Sequence, residues 1–401
     1  MTFARYSLIA AAILTLGACG KQEAPKEVAS QAAAETVKPT TSSDDVVKIA
    51  HSAPLTGNNA HFGKDNENGT RMAIDEINAE GGADIGGKKV KFELVSEDDQ
   101  ADPKTATTVA QRFVDMKVAG IIGHMNSGTT IPASKIYADA GIPQISPSAT
   151  AVAYTAQGFK SAFRVMSNDA QQGKVLGDFA VKKLAAKKVA IIDDRTAYGQ
   201  GLADEFEKAA KAAGAEVVKR EFTTNQETDF NAILTSIKGA KPDLVFYGGM
   251  DAQAAPLKKQ AKKLGISAKI MGGDGTQTPE FIKLAGADSE GMVSSSPGQS
   301  KESMPGGAEF LAKFKAKFGV EVNLYAPYNY DATKVMIEAM KKAGSTEPAK
   351  YLPELQKIEY KGVTGVISFD EKGDIKNGPI TVYQVKGGKW EVIEVVAGEA
   401  K

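Results

Sequence analysis

Hydroxyl side chains follow two predicted strands in the first half of the chain. A strand over 118–122 leads into residues 123–130, which are rich in Ser and Thr, and a strand over 142–145 leads into Ser-Pro-Ser-Ala-Thr at 146–150. Ligands of open α/β sheets bind at the carboxyl ends of strands. Hydroxyls and backbone N–H groups at a helix start favour an anion such as a carboxylate. Helix capping is the alternative role for any one of these side chains.

Acidic side chains follow the predicted strands of the second half. Tyr198 comes shortly after Asp193 and Asp194, Asp251 follows a Gly-Gly-Met run, and Asp274 follows two glycines. Carboxylates at these strand ends are suited to a cation, although paired acids are also ordinary polar loop residues. One half of the chain thus offers groups for an anion and the other groups for a cation. A zwitterion bound between them would satisfy both.

The elements that must position these residues alternate regularly between strand and helix. Residues 46–53, 88–99 and 118–124 are β-branched or apolar runs separated by helical periodicity, and a second series of the same kind covers about 175–275. This pattern predicts βαβ units and therefore two α/β units with largely parallel sheets. Residues 380–396 differ, because they predict a hairpin with its turn at the Gly-Gly pair 387–388.

Composition excludes several function classes. The 401 residues carry 49 Lys+Arg and 49 Asp+Glu, so the formal net charge is zero, which disfavours nucleic-acid binding. One cysteine and three histidines leave no disulfide framework and little room for metal or His-dependent chemistry, and we expect no cofactor or metal. The histidines are expected to be surface or loop residues. Residues 82–89 have the Gly and Lys spacing of a phosphate loop but lack the following Ser/Thr, so a plain turn is favoured.

The N-terminus indicates a secreted lipoprotein. Residues 1–18 contain one early arginine and a short apolar run typical of a signal peptide, followed by Cys19, the only cysteine of the chain. Leu-Gly-Ala-Cys at 16–19 resembles a bacterial lipobox, in which the cysteine becomes the lipidated first residue. Residues 19–45 are rich in Ala, Lys, Glu, Pro, Ser and Thr, which predicts a flexible linker. An ordinary signal peptide with an incidental Cys19 is the alternative.

The body of the chain resembles the Leu/Ile/Val-binding protein family, the substrate-binding subunits of branched-chain amino-acid ABC importers. No single motif is decisive, but the order and spacing of six stretches are specific, and the stretches are distributed over most of the chain beyond the linker. They are PLTGNNAHFGKDNENGTRMAIDEINAEGG (54–82), EDDQADPKTA (97–106), IIGHMNSGTTIPASKIYADAGIPQISPSAT (121–150), DDRTAYGQGLADEF (193–206), DLVFYGGMDAQ (243–253) and YNYDAT (328–333).

The resemblance implies a type I periplasmic binding fold. In this fold two Rossmann-like α/β lobes are joined by a three-segment hinge, and the ligand lies in the cleft between the lobes. Applied to this chain, the first lobe would comprise 46–165 and 296–365, and the second 166–295 and 366–401. Binding would proceed by closure of the lobes around the ligand.

The resemblance also implies roles for individual residues. The hydroxyls of Ser127 and Thr150 would hold the ligand α-carboxylate, and Asp274 with the Ser148 carbonyl would meet its ammonium. Family members often have glutamate at the position of Asp274, so this shorter side chain would act through water or tighter closure. The remaining expected ligand-binding residues line the pocket beside these groups: Phe62, Met125, Asn126, Ala149, Tyr198, Met250 and Tyr325. Asn126 is suited to a polar ligand side chain, and Asp251, if it turns inward, to a second cation or a polar amide.

The function that follows is capture of an aliphatic, branched-chain L-amino acid by a non-enzymatic subunit of an ABC importer. Its partners would be the transmembrane permease subunits, and a lipid anchor would hold a monomer on the outer side of a bacterial membrane. Three alternatives stay open: a binding protein for another amino acid or for urea or a short amide, a chemosensory binding protein, and an amidase. The last lacks a nucleophile–base pair in the sequence pattern.

Overall fold

A computed structural model describes residues 46–398, which lie in one compact unit, and contains two main β-sheets. The predicted signal peptide, Cys19 and the linker lie outside the described residues. The first sheet has the order β2-β3-β1-β4-β5-β6, and all of its pairings are parallel except the β2–β3 hairpin. Its strands are β1 (Val46–Ala53), β2 (Ala83–Ile85), β3 (Lys88–Asp98), β4 (Gly120–Gly123), β5 (Gln144–Ser146) and β6 (Ala162–Arg164).

The second sheet has seven strands in the order β15-β14-β11-β10-β9-β7-β8. Strands β7 to β11 pair in parallel, and the late hairpin β14–β15 adds to β11 in antiparallel fashion, as the Gly-Gly turn predicted. The strands are β7 (Lys188–Asp193), β8 (Glu216–Phe222), β9 (Leu244–Gly248), β10 (Lys269–Gly272), β11 (Val293–Ser296), β14 (Ile380–Lys386) and β15 (Lys389–Val396). A separate two-stranded ribbon joins β12 (Glu359–Lys361) to β13 (Val366–Ser368).

Helices cover the faces of both sheets, because parallel strands must be connected by crossovers. α1 packs against α11, and α5 packs against α6. The helices are α1 (Ala60–Ala79), α2 (Pro103–Asp115), α3 (Ser127–Asp139), α4 (Ala153–Ala156), α5 (Asp169–Lys182), α6 (Ala197–Ala212), α7 (Asn231–Ala240), α8 (Asp251–Lys263), α9 (Pro279–Ala285), α10 (Gly307–Phe318), α11 (Ala326–Ala343) and α12 (Pro348–Gln356). The architecture is the predicted α/β fold with two lobes, each built on one main sheet.

The chain crosses between the sheets three times, and the third crossing differs from its expected position. Residues 366–375 were expected in the second lobe, but they pack against the first. β13 pairs with β12, the Gly373 carbonyl accepts from the Arg164 N–H at 2.9 Å, and Asp374 accepts from the Arg164 side chain at 2.6 Å. We therefore propose to place the return to the second lobe at about 376–379, just before β14. Sequence patterns did not reveal this because the ribbon strands are only three residues long.

The interior of each lobe is an apolar core between sheet and helices. Phe206 of α6 and Phe246 of β9 stack in the second lobe with ring centroids 4.0 Å apart. Burial of such apolar side chains is the main contribution that stabilises the packing of the helices on the sheet. Between residues 46 and 398, the apolar stretches of the helices are too short or too polar to span a lipid bilayer.

Candidate functional site

Two loops of the first lobe meet at the carboxyl ends of β4 and β5. The Ser127 hydroxyl, at the first residue of α3, accepts a hydrogen bond from the Ala151 N–H at 3.1 Å. The Ser146 hydroxyl donates to the His124 carbonyl at 2.9 Å, and the Ser148 hydroxyl donates to the Met125 carbonyl at 3.0 Å. These bonds hold the two predicted anion-binding loops side by side. The N-terminus of α3, with its unpaired backbone N–H groups, therefore lies beside the 148–151 turn.

A buried arginine fixes the second of these loops. The Arg164 side chain is fully buried and donates from Nη1 to the Ala149 carbonyl at 2.7 Å and from Nε to Asp374 at 2.6 Å. Such charge-assisted bonds are strong and directional. They hold the backbone that carries Thr150, whose hydroxyl is itself buried with no hydrogen-bond partner among the described residues. Thr150 thus presents a buried hydroxyl close to the Asp169 carboxylate, in a position where it can also donate to a ligand.

Two of the three histidines belong to this framework rather than to the surface. His51 and His124 are fully buried. The expectation of a surface or loop residue is wrong for His51, which lies within β1, whereas His124 is a loop residue directly after β4. His124 makes hydrogen bonds to Asp99 at 2.7 Å and to the Tyr137 hydroxyl at 2.8 Å. Burial lowers the pKa of His51 to about 4, against smaller raising effects of Glu67 and the Ile122 carbonyl. The hydrogen bonds of His124, and that of His51 to the Ile122 carbonyl, fix the backbone just before Ser127.

Asp274 lies on the second lobe, after β10, and faces the loops of the first lobe. Its carboxylate accepts hydrogen bonds from the hydroxyls of Tyr198 at 2.9 Å and Tyr325 at 2.6 Å, and from the Gln172 amide at 3.0 Å. Burial raises the pKa of Asp274, and these three donors oppose the rise. Because Tyr325 precedes α11 of the first lobe, its bond to Asp274 joins the lobes across the cleft. Asp274 is thus largely satisfied by protein donors.

A second carboxylate, which the sequence reasoning missed, lies near Asp274. Asp169 is the first residue of α5 and is fully buried, and within the described residues its carboxylate has no hydrogen bond of good geometry, although the Thr150 hydroxyl lies close enough to lower its pKa. Burial, together with the charge of Asp274, raises the pKa of Asp169 to about 8, against the opposing effects of the nearby Thr150 hydroxyl and Arg164. A buried carboxylate that lacks a positively charged partner is suited to binding a cation, which would compensate its charge. The Ser-Asn-Asp run at 167–169, just before a predicted helix, is the sequence signal that could have found it.

Apolar side chains from both lobes pack beside these polar groups. The rings of Phe62 and Tyr325 lie with centroids 5.7 Å apart. On the second lobe, an added Cβ at Gly275 would lie 2.7 Å from the Met250 sulfur, so only glycine allows Met250 to pack against this turn. The predicted wall residues that share one buried cluster are Phe62, Met125, Tyr198, Met250 and Tyr325. Asn126 caps α3 next to Met125, and its buried amide oxygen has no partner within the described residues.

Asp251 was considered for a second cation or a polar amide of the ligand, but its carboxylate contacts a histidine of the other lobe. Its carboxylate lies 2.8 Å from His61 Nε2 and accepts from the Thr278 hydroxyl at 2.5 Å. Asp193, considered above as an ordinary loop acid, pairs with Arg220 at 2.6 Å. Across residues 46–398, no group of three or more His, Cys, Asp or Glu side chains is placed to hold a metal ion.

Groups of opposite chemistry meet where the two lobes approach each other. Hydroxyls and a helix N-terminus lie on the first lobe, carboxylates lie on the second, and buried apolar side chains pack beside them. Such an arrangement is suited to a small zwitterion with an apolar substituent. A family model for periplasmic binding proteins matches residues 46–389, and the chain belongs to that family.

Individual relatives agree with this assignment. The chain is 36% identical over 340 residues to the leucine-, isoleucine-, valine-, threonine- and alanine-binding protein of Pseudomonas aeruginosa, covering 85% of this chain and 90% of that one. A leucine-binding protein of Thermotoga maritima has a similar structure, with a TM-score of 0.81, 30% identity, and coverage of 87% and 98% of the two chains. So has a branched-chain amino acid transporter substrate-binding protein of Streptococcus pneumoniae in complex with isoleucine (TM-score 0.80, 30% identity, 88% and 100% coverage). The homologues are thus substrate-binding proteins of branched-chain amino-acid transporters.

Proposed function

We propose that this chain captures a branched-chain L-amino acid outside the cytoplasm and delivers it to the transmembrane permease of an ABC importer. The observation that carries the proposal is the pairing of a hydroxyl-rich, helix-terminated loop on one lobe with an unpartnered buried carboxylate on the other. An α-amino acid has one anionic and one cationic group on adjacent atoms. A ligand of this kind accepts from the donors of one lobe and pairs with the carboxylate of the other at once. The names of the relatives support the same ligand class.

The ligand orientation follows from these charges. The α-carboxylate is held by the hydroxyls of Ser127 and Thr150 and by the N-terminus of α3. The ammonium is held by Asp169 and the Ser148 carbonyl. Three protein donors already occupy the oxygens of Asp274. Asp274 therefore attracts the ammonium through its charge and does not hydrogen-bond to it. The short Asp274 side chain therefore serves to orient Tyr198 and Tyr325 as well as to attract the cation.

The ligand side chain points to the apolar wall. Phe62, Met125, Met250 and Tyr325 favour an aliphatic group, and Met250 adapts its shape to branched chains of different length. Asn126 adds an amide to this wall, and its oxygen, without a partner within the described residues, favours a second class of ligand with a hydroxyl, such as threonine. The Pseudomonas aeruginosa relative is named for threonine and alanine as well as for the branched-chain amino acids.

Capture proceeds without chemistry on the ligand. The Ser127 hydroxyl is bonded to a backbone N–H rather than to a base, so it is not activated as a nucleophile. Ligand contacts that exist only in the closed form stabilise closure, and the closed form then docks on the permease. We further propose that lipidated Cys19 anchors a monomer to the membrane through the 19–45 linker. A Cys19→Ser variant that stays with the membrane fraction would contradict this anchor.

Isothermal titration of a series of ligands tests the proposed function. The protein is refolded to remove bound ligand and titrated with leucine, isoleucine, valine, threonine, alanine, urea and acetamide. We expect one site per chain for the branched-chain amino acids and weaker or no binding of urea and acetamide. Binding of 4-methylpentanoate, which is leucine without its amino group, should be at least about 100-fold weaker than that of leucine. Binding of acetamide or urea but of no amino acid would refute the proposal.

A further inference from the structure

One pair of side chains joins the two lobes beside an open surface cavity. His61, on the first turn of α1, places Nε2 2.8 Å from a carboxylate oxygen of Asp251, at the first turn of α8. The Asp251 side chain is fully buried, whereas 26% of the His61 side chain is exposed. The same Asp251 oxygen accepts from Thr278, which fixes the carboxylate on the second lobe. Asp251 is therefore a fixed acceptor on the second lobe, and His61 is carried by the first lobe.

The position of the pair in sequence ties it to closure. His61 directly precedes Phe62, and Asp251 directly follows Met250, and both of these neighbours belong to the apolar wall. Because of this adjacency, a lobe movement that brings Phe62 toward Met250 also brings His61 toward Asp251. The other oxygen of Asp251 is buried with no partner in the described part of the chain, so without His61 this carboxylate is poorly compensated.

The surrounding charges favour a protonated His61. An open cavity of about 310 Å³ beside it is lined by Lys64 and Asp65 of its own helix, Glu280 of α9, and Glu321. Burial lowers the pKa of His61, but the hydrogen bond and charge of Asp251 outweigh it, with smaller contributions from Glu280 and Asp65, and the pKa is raised above 6.5.

We propose that His61 and Asp251 form a latch that closes the cleft, so that protonation of His61 tightens ligand binding. The proposal rests on the proposed function, since it requires a ligand-driven closure. In the open form His61 is separated from Asp251 and titrates as an ordinary histidine. Closure therefore takes up a proton between the ordinary pKa of about 6.5 and the raised value in the closed form. The contribution of the latch is complete below the lower value and is lost as the pH rises through the higher one.

The test compares leucine affinity across pH for the wild type and His61→Gln. Glutamine can donate to Asp251 but does not titrate, so the ratio of the two dissociation constants isolates the protonation of His61. We expect His61→Gln to weaken leucine binding about tenfold at pH 5.5 and about twofold or less at pH 8.5. Lys64→Gln is the matched control, because Lys64 lies on the same helix and pairs with Glu67 rather than with Asp251. Its ratio to the wild type should stay near one at both pH values.

A ratio for His61→Gln that is the same at pH 5.5 and pH 8.5, or that stays near one, would overturn the latch while leaving the proposed function intact. A wild type that binds no amino acid would instead refute the proposed function, and the latch with it. Proton NMR gives an independent reading, since the chain has only three histidines and His61→Gln identifies its signal. Saturating leucine should raise the pKa of His61 in the wild type and leave it unchanged in Asp251→Asn. A His61 pKa that leucine does not move would also overturn the latch.

Discussion

Asp169→Asn is expected to separate ligand binding from closure of the empty cleft. Asp169 is fully buried, unpartnered and has its pKa raised from 3.8 to about 8. Closing the empty cleft at pH 7 therefore requires this carboxyl to take up a proton. One pKa unit corresponds to about 1.4 kcal/mol. Protonating at pH 7 a carboxyl whose ordinary pKa is 3.8 therefore adds as much as about 4 kcal/mol to the free energy of closing the empty cleft.

A bound ammonium removes this cost, because the carboxylate can then stay ionised. The variant keeps the shape of the side chain but has no charge to compensate. We expect it to bind leucine about 100-fold more weakly, in line with about 3 kcal/mol for a broken buried pair. We also expect the ligand-free variant to close more readily than the wild type. In the wild type, the pKa is raised on closure, so empty closure is favoured by acid and becomes less favourable as the pH rises toward 8.

Calorimetry gives the dissociation constants, and small-angle X-ray scattering of the ligand-free protein gives the degree of closure through the radius of gyration. Asp178→Asn is the matched control, since Asp178 lies on the same helix but pairs with Lys182 at the surface. The preference of the wild type for leucine over 4-methylpentanoate should largely disappear in Asp169→Asn. If both ligands instead lose affinity equally, or if leucine affinity changes less than twofold, Asp169 does not hold the ammonium and the reasoning fails.

Further predictions concern the groups around the ligand. The double variant Ser127→Ala and Thr150→Ala should weaken binding of every α-amino acid by a similar factor, measured by calorimetry, and a loss confined to some ligands would show that these hydroxyls do not hold the shared carboxylate. Asp274→Ala leaves three buried donors unpaired and should weaken leucine binding at least about tenfold in the same assay, so unchanged affinity would remove Asp274 from the site. Arg164→Gln breaks a buried ion pair and should lower the free energy of unfolding, measured with urea, by about 3 kcal/mol or more, and a change below about 1 kcal/mol would refute its role in fixing the second loop.

The sequence predicted the elements of the fold well because the pattern that specifies them is local. Runs such as 188–193 and 244–248 are buried on both faces, as strands covered by helices must be, and their apolar composition shows it directly. The late hairpin was predicted from its Gly-Gly turn. We propose a different third crossing because Gly373 and Asp374 bond to Arg164, a residue about 200 positions earlier, and no local pattern records that contact.

The proposed site could be derived from the sequence in part for the same reason. Ser127, Thr150 and Asp274 follow strands that composition reveals, so the rule for strand ends singled them out as candidates. Asp169 follows β6, a strand of only three residues that the patterns did not indicate. The His61–Asp251 pair spans 190 positions and depends on how the lobes meet, so the sequence suggested at most that Asp251 would face a cation.

A crystal structure of the protein with L-leucine tests the central claim most directly. We expect one leucine between the lobes, with its carboxylate against Ser127 and Thr150, its ammonium within hydrogen-bond distance of Asp169, and its side chain against Phe62 and Met250. Leucine bound in the reverse orientation, or outside the cleft, would contradict the assignment of an anion-binding lobe and a cation-binding lobe on which the account rests.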